Sequence, residues 1–244
     1  MSFRKIAIAL IPIMFLTSCI SVNTPGATVG NGRMVDGSFI TDGSPITEII
    51  IENVHATVNI DTVSSNVVTY TIDENLQNLL QITHQGGTLR ISTTNNRSIT
   101  SRSEMVFSVG TDVLEQISVS GAVTINGKGK LTVETFALDI AGAASVNLEL
   151  DASAVSTSIA GAGSLTLSGT TDELFISAAG AASINARSLV AQDATVSISG
   201  AGSAQVHAEN TLDVSVAGVG SVTYWGDPVL TSSAPGLASV RKGN

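Results

Sequence analysis

Seven copies of one phrase decide the reading of this chain: Ser-Gly-Ala-Val-Thr at 120–124, Ala-Gly-Ala-Ala-Ser at 141–145, Ala-Gly-Ala-Gly-Ser at 160–164, Ala-Gly-Ala-Ala-Ser at 179–183, Ser-Gly-Ala-Gly-Ser at 199–203, Ala-Gly-Val-Gly-Ser at 217–221 and Pro-Gly-Leu-Ala-Ser at 235–239. Their first glycines, Gly121, Gly142, Gly161, Gly180, Gly200, Gly218 and Gly236, are separated by 21, 19, 19, 20, 18 and 18 residues. A period near twenty signals a repeat architecture, in which a unit too short to bury its own apolar face stacks on its neighbours.

Alignment on that glycine sets the secondary structure. Four residues before it stand Ile117, Leu138, Thr157, Ile176, Val196, Val214 and Ser232, and two before it Val119, Ile140, Ile159, Ala178, Ile198, Val216 and Ala234. Between these apolar columns lies a column that is serine in every copy but one, Asp139. Alternation with period two is the pattern of a strand with one face buried. After the glycine come two small residues, then Thr or Ser, then a second apolar column: Ile125, Val146, Leu165, Ile184, Ala204, Val222 and Val240. Each copy therefore reads strand, glycine corner, strand, with Ala and Ser small enough for successive corners to stack. The expected fold is all-β: a right-handed parallel β-helix, or solenoid, with rungs of 18–21 residues over 117–241.

Upstream of the repeats, residues 46–116 are rich in short β-like runs without the period, and Gly86-Gly87 marks a hairpin. This region is expected to be an irregular N-terminal β part that caps the open edge of the stack. Residues 19–45, with many Gly, Asn, Thr and Ser, read as a flexible tether. Residues 1–18 carry Arg4 and Lys5 and then ten apolar residues, Ile6 to Phe15, too few to span a bilayer but right for a secretory signal. Leu16-Thr17-Ser18-Cys19 resembles the bacterial lipobox, and Cys19 is the only cysteine. That resemblance implies cleavage before Cys19 and lipid attachment to it, making the membrane a partner through the anchor. Without an Asp after Cys19, an outer-membrane lipoprotein, facing periplasm or cell surface, is expected. Removal of 1–18 leaves a net charge of −11, which disfavours nucleic acid.

Several stretches together resemble the bacterial family described as "Putative auto-transporter adhesin, head GIN domain", formerly a domain of unknown function. They are Glu48-Ile49-Ile50-Ile51-Glu52-Asn53-Val54, Gly87-Thr88-Leu89-Arg90-Ile91, Leu114 to Ala122, the Ser-Gly-Ala-Gly-Ser phrases and Tyr224-Trp225-Gly226-Asp227-Pro228. The resemblance covers Glu48 to Arg241 and implies a secreted or lipid-anchored β-helical domain, without catalytic residues to carry over. Gly110-Thr111-Asp112 departs from it, since the family often has a proline there.

The candidate sites are few. His55, His84 and His207 are scattered without the spacing of a metal site, so no metal or other cofactor is expected. Asp172, Glu173 and Asp193 form the nearest approach to a carboxylate cluster, the feature a β-helical polysaccharide lyase or hydrolase would need. Copies of nearly equal length leave no long loop to wall a cleft around them. Tyr224 and Trp225 are the one adjacent aromatic pair and the candidate ligand contact, on which a sugar could stack. The expected function is thus a non-catalytic, lipid-anchored binding or structural protein of the cell envelope, an adhesin of a glycan or protein ligand. A carbohydrate-active β-helix enzyme and a periplasmic envelope scaffold are the alternatives.

Overall fold

The structure is a computed structural model that describes residues 27–244; the expected signal peptide and Cys19 lie outside the described residues. Strands dominate: β1 (Thr28–Val29), β2 (Met34–Ile40), β3 (Glu48–Asp61), β4 (Val67–Asp73), β5 (Leu80–Gln85), β6 (Thr88–Thr93), β7 (Ile99–Thr100), β8 (Met105–Gly110), β9 (Gln116–Trp225), β10 (Val229–Ser233) and β11 (Ser239–Lys242). Two short 3-10 segments, Glu74–Leu79 and Thr94–Asn96, interrupt them.

β9 holds the first six copies in 110 residues of continuous extended backbone, which drawn straight would measure about 360 Å. It instead folds back at each glycine, so that the corners of neighbouring copies touch. A Cβ placed on Gly142 would lie 2.3 Å from the carbonyl oxygen of Gly121, and one on Gly161 would lie 2.2 Å from that of Gly142. A second bend follows eight residues later in three copies, at Gly129, Gly169 and Gly226, each with positive φ. The apolar columns point inward as their alternation requires: Ile117, Leu138, Ile176, Val196 and Val214 are all 2% exposed or less, and so are Ile125, Val146, Leu165, Ile184, Ala204 and Val222. Each fully buried Leu or Val of these columns stabilises the stack by about 1.5–3 kcal/mol.

The strand pairing overturns the expectation of a right-handed parallel β-helix. The main sheet has nine strands in the order β10-β9-β3-β8-β4-β2 with β5, β6 and β11 branching from that path, and it is mixed, with no closed solenoid. β2 with β4, β4 with β8 and β5 with β6 are antiparallel, whereas β3 with β6, β8 and β9, and β10 and β11 with β9, are parallel. The physical reason lies before residue 117, where the glycine period is missing. There Gly86 and Gly87, at φ +60° and +87°, reverse the chain in two residues, and a turn that tight joins only antiparallel strands.

β3 joins the two halves. Glu48–Glu52 pair with Gln116–Ser120 and His55–Asp61 with Ala122–Lys128, with a register shift between, where Asn53 takes φ +57° and the carbonyl of Val54 abuts Gly121. One hydrophobic core runs without a break from Ile46 to Val222. The stretch expected to be tether is partly sheet: β2 lies within it, and Val35 and Phe39 pack against the core on the alternation Val35, Gly37, Phe39. Thr111 explains why proline is absent from its neighbourhood. Its N–H donates to the Asp61 carbonyl at 2.8 Å, which proline could not do, and its hydroxyl donates to the Ile46 carbonyl at 2.6 Å. Among the described residues no helix is long and apolar enough to cross a membrane.

Candidate functional site

The glycine corners create a long concavity. The two small residues after each glycine and the Ser or Thr that follows line an open trough of about 660 Å³ that crosses five copies, from Ala122 to Ser203, with His55 among its lining residues. Ala143, Ala162, Ala181 and Ala201 are exposed in it, and Ser145, Ser164, Ser183 and Ser203 supply hydroxyls. Methyl groups and glycine backbone leave the space open because no side chain longer than valine, other than His55, enters it. The sequence phrase contains every residue of this trough except His55, yet smallness there reads first as a requirement of stacking.

The carboxylates are separated more than their numbering suggests. Glu173 and Asp193 occupy the same column of adjacent copies and share a shallow groove of about 410 Å³ with Asp213, Phe175 and Val229. Asp172, next to Glu173 in sequence, opens onto a different groove with Asp151 and Thr170. All three candidate acids are exposed, and Asp193 accepts a hydrogen bond from the Thr211 hydroxyl at 2.5 Å. In the second groove the Lys130 ammonium, 3.1 Å from Asp151, donates to its carboxylate and, with the Thr170 hydroxyl, holds it below the ordinary Asp range. Phe175, 45% exposed on the outward column of its copy, is the aromatic that sequence reasoning passed over. Its place in the outward register was the available signal.

Tyr224 and Trp225 end β9, and the indole of Trp225 does not offer a free platform. The Arg187 guanidinium sits 4.4 Å from its ring centroid, a cation–π contact. Gly243 lies against the other parts of the ring, its N–H donating to the Tyr224 carbonyl at 2.7 Å, and Lys242 pairs with Asp227 beside it. Trp225 is the only tryptophan, so its fluorescence reports this packing directly. Arg187→Ala is expected to make that emission more accessible to acrylamide and to lower stability by about 0.5–1 kcal/mol; unchanged quenching would show that the guanidinium does not cover the ring in solution.

The histidines stand apart. His84 is buried with Nδ1 2.9 Å from an Asp42 carboxylate oxygen, His207 Nε2 is 3.0 Å from Glu209, and His55 lies at the trough. Among the described residues no group of three His, Cys, Asp or Glu side chains is placed to hold a metal.

Solved structures share this fold. A "putative adhesin" from Bacteroides fragilis superposes with a TM-score of 0.81 at 20% identity, covering 88% of this chain and all of its own. A "putative lipid binding protein" from Parabacteroides distasonis gives 0.71 at 22% identity over 89% of this chain and all of its own. A further "putative adhesin" from Parabacteroides distasonis gives 0.67 at 20% identity, with 89% and 100% covered. At these identities the likeness is one of fold. No curated protein matches the sequence. The family model described as "Putative auto-transporter adhesin, head GIN domain" matches residues 47–228, three quarters of the sequence, and the chain belongs to that family.

Proposed function

We propose that this chain is a non-catalytic binding protein of the cell envelope, held at the outer membrane by lipid on Cys19, that engages a glycan or protein ligand in adhesion. The observation that supports it most is the trough from Ala122 to Ser203: a rigid, shallow channel across five copies suits an extended polymer lying along it. Its walls are fixed by strand stacking, so a ligand would meet a preformed surface and little ordering would oppose binding. The exposed position of Asp172, Glu173 and Asp193 favours binding over catalysis. Acid–base chemistry on a polysaccharide works in a cleft that closes around the scissile bond, and these carboxylates stand open on a strand face with no loop to wall them.

The test uses a strain lacking the protein, complemented with the wild type or with Ala181→Trp. Ala181 is exposed on the trough, so an indole there fills the channel without entering the core. Wild type is expected to restore attachment to glycan- or protein-coated surfaces and Ala181→Trp to fail, although protein levels and thermal unfolding stay equal. Attachment unaltered by deletion across such surfaces would overturn the adhesive role. Protease digestion of the tagged protein on intact cells is expected as well; protection there, with digestion after lysis, would confine the ligand to the periplasm.

A further inference from the structure

Each inner copy of the repeated phrase is packed between two others, and the last is packed on one side. β10 pairs through Val229–Ser233 with Thr211–Ser215, β11 through Ser239–Lys242 with Ser221–Tyr224, and Gly236 bridges Gly218. Among the described residues nothing pairs with the opposite edge of β10 or β11. The consequence appears in one column. Six residues before the glycine, Phe136, Val155, Leu174, Ala194 and Leu212 are 0–3% exposed, whereas Leu230 in the same column is 38% exposed. Val229 at 74% and Leu237 at 80% add to this apolar end face, and all five residues of β10 are exposed.

Free strand edges in soluble proteins are commonly guarded by charge or proline, because unpaired N–H and C=O groups recruit another strand. β11 carries that guard in Arg241 and Lys242. β10 has none: its residues are Val-Leu-Thr-Ser-Ser, and Pro228 and Pro235 lie just outside it. The two prolines bound a segment of free donors between them.

We propose that this face is where two copies of this chain meet, β10 against β10, across a two-fold axis. The β10 edge of a second chain is itself uncharged, five residues long and backed by an uncovered Leu230, so two such edges are self-complementary and each covers what the other leaves open. At the other end of the repeats the first copy is occupied by β3 within the chain. The second molecule therefore presents the same end, which makes the contact isologous and the paired strands antiparallel. An axis at Thr231 sets Thr231 against Thr231, Leu230 against Ser232 and Val229 against Ser233. No charged residue falls within the paired segment, so no like charges confront each other there.

Cysteine cross-linking of the full-length chain tests this. Thr231→Cys places a thiol on the axis, where facing Cβ atoms lie about 4.5–5.5 Å apart, within reach of a disulfide or a short bismaleimide. The wild type controls for Cys19, and Ser177→Cys, exposed on the outward face of an inner copy, controls for chance collision. Covalent dimer is expected to exceed that of Ser177→Cys by about tenfold or more, and adding Leu230→Lys is expected to remove the excess by setting a charge into the contact. Because Thr231 and Leu230 are both exposed, equal urea midpoints should show that each variant is folded. Equal dimer from Thr231→Cys and Ser177→Cys, or dimer indifferent to Leu230→Lys, would overturn the proposal.

Discussion

Replacing Gly161 with alanine is expected to destabilise the protein by about 4 kcal/mol, combining an unfavourable backbone conformation with a clash that close packing cannot relieve. Gly161 has φ +144°, and its added Cβ would stand 2.2 Å from the Gly142 carbonyl oxygen. Relief requires the two corners to separate, but each is clamped: Gly180 stacks on Gly161 just as closely, with its own Cβ position 2.3 Å from the Gly161 carbonyl oxygen. A shift of one corner thus strains the strand pairing on both sides. Gly236 supplies the comparison. It has φ +82° but nothing within 4 Å of a Cβ, so Gly236→Ala should cost only the left-handed backbone, about 1 kcal/mol. Urea unfolding of the two variants separates the causes. Similar losses would mean that backbone angle alone, and not the stacking of corners, demands glycine in this column.

The same column shows what the sequence could and could not reveal. Alternation around the glycines identified the inward residues correctly because the burial pattern is local: every second side chain faces the core whatever the strand pairs with. Pairing partners are set by contacts distant in sequence, and there the extrapolation from the regular half failed. Val35, Gly37 and Phe39 alternate as well as any copy does, but a glycine and an aspartate in seven residues hid the strand among tether-like neighbours. Its role becomes visible only against β4, where the Tyr70 ring fills the space above Gly37. The candidate site was legible to a similar depth. The small residues of the trough were all in the repeated phrase, whereas concavity is a property of how corners stack. Glu173 and Asp193, each seven residues before its glycine, share a groove, whereas Asp172 opens onto another, because adjacent residues of a strand face opposite ways.

Asp73→Ala is expected to cost about 3 kcal/mol, with the loss concentrated in the strands that precede the repeats, because it removes one buried acceptor shared by three donors at once. Asp73 closes β4 and is fully buried, accepting hydrogen bonds from the Gly32 N–H at 2.5 Å, the Arg102 N–H at 3.1 Å and the Ser101 hydroxyl. It thereby ties the loop before β2 and the turn before β8 to the end of β4. The loop comes so close that a Cβ on Gly30 would touch the carboxylate. Burial on its own raises the pKa of this carboxyl, but the hydrogen bonds from Ser101, Gly32 and Arg102, with the Arg102 charge, outweigh burial and hold it below the ordinary Asp range. A carboxyl with a lowered folded-state pKa adds stability that is complete above the unfolded value of about 3.9 and is lost as pH falls through the folded one. Asp73→Asn keeps the shape and removes the titration. The stability difference between wild type and Asp73→Asn should therefore stay level near neutral pH and shrink as the pH drops below about 4. Urea midpoints across that range measure it, and hydrogen exchange should show β1 and β2 losing protection first in both variants. A difference that persists undiminished into acid would mean that the donors around Asp73 hold its shape and not its charge.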